Sequence, residues 1–258
     1  MKRTMTIILL SLFAAFSVFA QEPKPKMENR PAGEMKAKGS MPTVDQILDK
    51  YVMALGGKAA IEKHTSRVMK GTLDIPAAGV SGSAELYAKA PDKSLTLITV
   101  PGFGIVQEGF DGTVGWAEDP QSGLREKSGV ELATTKLDSH FYRDINLKKL
   151  YPKMMLKGEE KVGERATYVI EATPAEGDPE KWYFDAETGL LLRMDVERES
   201  PLGKQPVEVY LDNYKEADGV KLPFSLRQVT SAFTINITID KVTHGESIDD
   251  AKFKKPGS

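Results

Sequence analysis

Apolar side chains recur at helical spacing where the patterned part of the chain begins. Val44, Ile47, Leu48, Tyr51, Val52 and Leu55 form one stripe, the mark of a helix that buries one face. Thr43 or Asp45 offers a capping oxygen ahead of it. Gly56-Gly57 ends it, because glycine accepts the left-handed backbone of a C-cap. A short second helix is expected over 58–63. From Arg67 the period changes to two: Met69, Leu73 and Ile75 share one face, and Lys70, Thr72 and Asp74 the other. Val80, Ala84 and Leu86 repeat the alternation, and further strands are expected over 95–100, 105–110 and 114–118. Asp111-Gly112 is a hairpin signal, while Pro91-Asp92, Pro101-Gly102 and Asp119-Pro120 punctuate the series. Between Gly129 and Tyr151 the twofold period stops. Val130, Leu132, Leu137, Phe141, Ile145, Leu147 and Leu150 there suit one helix or two lying on the sheet, closed by Pro152. Strands return over 154–162, 167–173, 181–185, 190–199, 206–214, 224–230 and 233–242. In the last, Phe233, Ile235, Ile237 and Ile239 face one way and Thr234, Asn236, Thr238 and Asp240 the other. One side of the sheet therefore meets something apolar and the other meets water. The pattern predicts an α+β fold that is mostly antiparallel sheet, with about eleven strands in a sandwich, barrel or half-barrel.

The preceding residues carry a different pattern. Lys2 and Arg3 stand before the almost wholly apolar run from Ile7 to Phe19, and Val18-Phe19-Ala20 fits a signal-peptidase site. Residues 1–20 are expected to be a cleaved secretory signal peptide, the run being shorter than the about 20 residues a membrane span needs. Residues 21–41 hold three prolines and eight charged side chains without apolar periodicity, as expected of a disordered linker. This leaves 42–258 as a single domain. The chain contains no cysteine, which excludes disulfides, thiolate metal sites and a lipid-bearing cysteine. A net charge of −2 without a basic stripe gives no nucleic-acid footprint. A soluble, monomeric periplasmic protein is expected.

Catalytic patterns are weak. Gly79-Val80-Ser81-Gly82-Ser83 lacks the last glycine of a nucleophile elbow, and Gly102-Phe103-Gly104 is not followed by the helix a nucleotide loop requires. Both read as turn or strand glycines. His64, His140 and His244 share no metal-ligand spacing. His140, near Asp138 and Asp144, could serve acid–base chemistry or simply lie on a solvated helix face. Asp249-Asp250 is a weak suggestion of a cation site. No enzyme activity, cofactor or metal is expected. The aromatics Phe103, Phe110, Trp116, Trp182 and Phe184 either fill a core or line a ligand cleft, and the apolar loop 99–104 either contacts a partner or membrane or tucks under a helix.

Two local phrases and the element order carry a resemblance. Trp182-Tyr183-Phe184-Asp185-Ala186-Glu187-Thr188-Gly189-Leu190-Leu191-Leu192-Arg193 contains a strand, D-x-x-T-G, strand hairpin. Tyr214-Lys215-Glu216-Ala217-Asp218-Gly219-Val220-Lys221-Leu222-Pro223-Phe224 contains a later Y-x-x-x-D-G-x-x-x-P connection. Over about residues 43 to 250 the chain resembles the periplasmic lipoprotein carriers, the LolA/LolB-like outer-membrane lipoprotein-sorting superfamily. The resemblance implies an incomplete β-barrel of about eleven strands, helices acting as a lid, and a concave apolar face that receives acyl chains. The partners implied are a lipid or lipidated protein and envelope membrane proteins. Leu73, Ile75, Leu86, Leu97, Phe103, Phe110, Trp116, Trp182, Ile235 and Ile237 are expected to line that cleft. The sequence departs from the carriers in its long linker and modest aromatic content, and Arg67 is the nearest position to a cargo-gating arginine. A non-transport envelope module that binds a protein partner is the alternative.

Overall fold

The computed structural model describes residues 41–200 and 203–257. The expected signal peptide and all of the expected linker except Met41 lie outside the described residues. Of the two candidate caps, Thr43 starts helix α1 (Val44–Ala54): it accepts from the Gln46 amide while the Gln46 side chain returns to the Thr43 N–H, a reciprocal capping box. Gly56 (φ 115°) and Gly57 (φ 87°) turn the chain into α2 (Lys58–Glu62).

Strands then follow in two runs. The first is β1 (Ser66–Ile75), β2 (Val80–Lys89), β3 (Lys93–Val100), β4 (Gly104–Phe110), β5 (Gly115–Asp119) and β6 (Gly123–Glu126). Helix α3 (Gly129–Ser139), a 3-10 turn (Arg143–Ile145) and α4 (Leu147–Leu150) make the mid-chain helical segment. The second run is β7 (Lys153–Val162), β8 (Arg165–Thr173), β9 (Glu180–Asp185), β10 (Leu191–Ser200), β11 (Gly203–Ala217), β12 (Val220–Val229) and β13 (Thr234–His244). All 13 strands form one antiparallel sheet in the order β6-β5-β4-β3-β2-β1-β13-β12-β11-β10-β9-β8-β7. Two meanders are joined where β1 meets β13, and the outer edges β6 and β7 are not paired, so the sheet is unclosed. The count exceeds the expected eleven, and β6 has no counterpart in the sequence reading. Its four residues, Gly-Leu-Arg-Glu, are too few to show a period.

The register defines two faces. Met69, Leu73 and Ile75 of β1 stand beside Leu86, Gly82 and Val80 of β2 and, from Leu73 across the junction, Ile237 of β13. The register slips between Lys70 and Gly71, leaving Asp240 of β13 without a partner in the ladder, and this bulge brings Val242 opposite Met69. A one-residue bulge restores an apolar residue to the inner side after the alternation has run out of phase. The inner face also carries Trp182 and Phe184 of β9 and Ile170 of β8. These residues form one continuous apolar cluster with Ile47, Leu48 and Tyr51 of α1, Leu147 of α4 and Tyr151.

The sheet is strongly curved. Helix α3 touches β4, β5 and β10, although β4 and β10 lie seven places apart in the sheet order. In a flat sheet that separation would be roughly 34 Å at about 4.8 Å per strand. The 11 residues of α3 span only about 16 Å. The two meanders therefore curl toward each other on the side that bears Leu73.

On the outer face a second, smaller cluster joins Val68, Leu95, Trp116, Ile248 and Phe253. The C-terminal 3-10 turn (Asp250–Phe253) caps it, and the Trp116 indole donates to the Phe253 carbonyl at 2.9 Å. Asp249 and Asp250 do not make a cation site. Asp249 caps this turn by accepting from the Ala251 amide, and Asp250 pairs with Lys89 at 2.7 Å and Lys93 at 2.6 Å.

Candidate functional site on the inner face

Of the residues expected to line a cleft, Leu73, Ile75, Leu86, Phe110, Trp182, Ile235 and Ile237 share the inner face. Phe103, at the β3–β4 tip, packs on the same cluster. Leu97 and Trp116 do not join them. Leu97 stands in register with Glu85 and Gln107, one position out of phase with inner Ile98 and Val106. Trp116 lies over Gly109 on the outer face, where a Cβ on that glycine would come within 2.6 Å of the indole. In Leu-Thr-Leu-Ile-Thr-Val both faces of β3 are apolar, so alternation cannot orient Leu97. In β5, five residues are too short to orient Trp116. The expected floor is also covered: Leu73 is 0% exposed, and Trp182 and Ile235 are each 1% exposed. Apolar side chains of the protein itself already occupy this face, rather than leaving it bare.

Polar groups sit on the same face, and they hold the helical segment in place. Arg143, in the turn between α3 and α4, donates to the Tyr151 hydroxyl at 2.7 Å and lies 3.5 Å from Glu180. The Trp182 indole also donates to Glu180, at 2.8 Å. The Arg143 guanidinium faces the Tyr151 and Trp182 rings, and its buried Nε has no partner among the described residues. Burial alone would lower the Arg143 pKa; Tyr151, Asp138 and Glu180 outweigh it and hold the group above its ordinary value. Next along the turn, Asp144 accepts from the Tyr51 hydroxyl of α1 at 2.9 Å. Burial first, then this carboxylate, pushes the Tyr51 phenol well up. At the other end, Arg125 makes a two-pronged contact with Glu131 of α3, at 2.7 and 2.6 Å, and Arg198 of β10 reaches Asp138 at 3.2 Å. Lys127, only 7% exposed, bonds Thr135 of α3 and the inner-face carboxylate of Glu108. Lys127 holds the Glu108 carboxyl below its usual range despite burial, yet the Glu108 side chain keeps 46% of its surface exposed.

Helix α1 docks onto the two turns that carry the sequence resemblance. Lys50 donates to the Ala186 carbonyl in the Asp185–Gly189 turn, and the Lys221 amide, next to the Asp218-Gly219 turn, donates to the Leu55 carbonyl. Asp218 (φ 52°) and Gly219 (φ 85°) both take positive φ, the form a tight two-residue hairpin requires. His64 stacks on His244 with centroids 4.1 Å apart. One His64 nitrogen contacts the Asp218 carbonyl, and His244 Nδ1 contacts the Asp218 carboxylate at 3.1 Å.

Arg67 lies on the inner face in register with His244 and Ala88, with its guanidinium 5.6 Å from the centre of the Phe141 ring. The suspected acid–base set is not assembled. Asp138 serves Arg198 and Asp144 serves Tyr51, while His140 Nδ1 is buried without a partner among the described residues. An open depression of about 510 Å³ lies elsewhere, on the outer face among Lys181, Asp195, Glu208 and Thr230. Sequence reasoning missed Glu108, Glu180 and Arg198. Their strand parity, shared with Phe110, Trp182 and Val196, was the available signal.

Several solved structures share this fold, three of them as follows. A DUF1329 family protein from Desulfovibrio piger matches with a TM-score of 0.56 at 19% identity, over 82% of this chain and 97% of that one. A LolA superfamily protein from Nitrosomonas europaea matches at 0.55 and 16% identity, over 83% and 99%. An outer membrane lipoprotein-sorting protein domain from Vibrio parahaemolyticus matches at 0.53 and 11% identity, over 74% and 90%. No family model matches the sequence, and no curated protein matches it. The chain thus has the fold of the LolA superfamily and DUF1329 proteins. No helix among the described residues is long and apolar enough to cross a membrane.

Proposed function

We propose that this protein is a non-enzymatic periplasmic carrier or binding protein for an apolar ligand, a lipid or the acyl chains of a lipidated protein. In this reading it is secreted by a cleaved signal peptide and tethered to nothing by lipid of its own. One observation carries the reading: a curved sheet that does not close presents one continuous apolar face, and α3, part of the segment roofing it, is tied down by the partly exposed ion pairs Arg125–Glu131 and Arg198–Asp138. Such contacts can be exchanged for water at small cost, whereas a sheet ladder cannot. The α1 and α3–α4 segments would act as a lid, and an acyl chain entering beneath it would replace their side chains against the apolar face. Each buried CH₂ is worth about 0.8 kcal/mol, so one chain repays several such contacts. The fold shared with a lipoprotein-sorting domain agrees with this reading. Native mass spectrometry of gently purified protein should show bound lipid, and the emptied protein should take up a fluorescent fatty acid. A clean apo mass with no uptake would overturn it.

The second reading, an envelope module that binds a protein, draws on the covered state of the inner face and on the exposed Ile105 and Leu124. Recovery of one protein partner with no lipid, by crosslinking in the envelope, would favour it.

A further inference from the structure

Arginine carries five N–H donors and stays charged inside proteins, and the nitrogens of Arg67, unlike Arg143 Nε, are not sealed from solvent, so they stay open to an outside acceptor. Arg67 is half-buried on the inner face, and no acceptor among the described residues lies within hydrogen-bond or ion-pair reach of it. Around it are the Phe141 ring at 5.6 Å and, across the ladder, Ala88 and His244. Asp144 is near enough to act through space, but it is bonded to Tyr51. Asp218 is bonded to His244. Burial, the largest influence, lowers the Arg67 pKa, and Asp144 and Tyr51 do not make it up. Two residues further along the same face stands Met69, flanked in register by Leu86 and Val242, and Leu86 and Val242 are only partly buried.

We infer that Arg67 receives the anionic headgroup of an amphiphile whose alkyl chain runs along Met69, Leu86 and Val242. The inference rests on the apolar-ligand reading above and narrows it to a ligand with a carboxylate or phosphate at one end. A guanidinium fork offers two parallel bonds to either group, and the apolar track begins beside it.

The test measures binding of oleate, oleyl alcohol and acetate by displacement of a fluorescent probe, in the wild-type protein and in Arg67→Gln, Arg67→Lys and Leu86→Gln. Wild type should hold oleate about tenfold tighter than oleyl alcohol, which corresponds to about 1.4 kcal/mol. Arg67→Gln should bring the two within about twofold, and Arg67→Lys should fall between, keeping charge but losing the fork. Leu86→Gln should weaken both amphiphiles and leave their ratio unchanged, and acetate should not compete. Equal binding of oleate and oleyl alcohol by wild type, or an undiminished preference in Arg67→Gln, overturns the headgroup assignment while the apolar-ligand reading stands. Competition by acetate as strong as by oleate shows a free-anion site and overturns the amphiphile. Failure of both amphiphiles to bind overturns the apolar-ligand reading and this inference together.

Discussion

Gly71 has no room for a methyl group. A Cβ there would sit 1.9 Å from the Thr238 carbonyl oxygen, at the bulge that lets β13 stay in phase with β1. Gly71→Ala should therefore cost at least the about 1–3 kcal/mol typical of overpacking, read as a lower urea midpoint; an unchanged midpoint would remove the bulge from the account. His244 makes a different residue-scale prediction. Burial, with His64 and Arg67 nearby, lowers its pKa in the folded protein, whereas the unfolded chain titrates near about 6.5. As pH falls through that value the unfolded state takes up a proton that the folded state refuses, so stability drops until the folded group titrates too. His244→Gln should flatten this part of the stability curve between neutral and mildly acid pH. Parallel curves for the variant and the wild type would show that the stacked pair does not set it.

At the scale of elements, α3 is the segment whose attachment is most polar. Its contacts include the Arg125–Glu131 fork, the Lys127–Thr135 bond and the Arg198–Asp138 pair. Partly exposed pairs of this kind are worth about 1 kcal/mol or less each. Glu131→Gln should accordingly leave global stability within that margin and raise amide exchange in α3 above that in β8 and β9. Equal exchange in all three would make α3 part of the global unfolding unit rather than a separable roof. The turn at Asp185 is held more tightly. Its carboxylate accepts from the amides of Glu187 and Thr188 and pairs with Arg165 at 2.7 Å. Burial raises this carboxyl, and those bonds outweigh it to leave the group below its ordinary range. Asp185→Ala strands two donors, at a cost of about 1–3 kcal/mol, and should loosen the α1 contact made by Lys50 to the same turn.

Across the whole molecule, the junction of β1 with β13 joins the two ends of the folded chain, with Arg67 opposite His244. Pairings this distant in sequence must close a long loop before they contribute, and sheet proteins of this kind fold in about milliseconds to seconds. Stopped-flow refolding should place the formation of this junction late, with Phe253→Ala mainly accelerating unfolding. The Phe253 ring seals the outer cluster over Trp116, and its loss should cost about 3–5 kcal/mol. A small effect, with no change in Trp116 fluorescence, would show that the C-terminal turn is dispensable.

The order of elements apart from β6, a cap for α1 at Thr43 or Asp45, the two tight turns and the face of β1 and β13 were legible in the chain itself. Each depends on neighbours within a few residues: Thr43 on Gln46, Asp185 on Thr188, Ile235 on Ile237. What tertiary structure alone decided was which of two apolar faces a residue would join, and whether the inner face would lie bare. Trp116 went to the outer side, where a C-terminal turn covers it and Gly109 left space, and register with Glu85 and Gln107 put Leu97 on the same side. Glu108 and Arg198 came within reach of each other because curvature brings β4 and β10 under one short helix, and Arg143 met Glu180 because the helical segment folds back onto β9. Periodicity records that a strand has two sides, but the matter covering each side comes from residues far away in the chain.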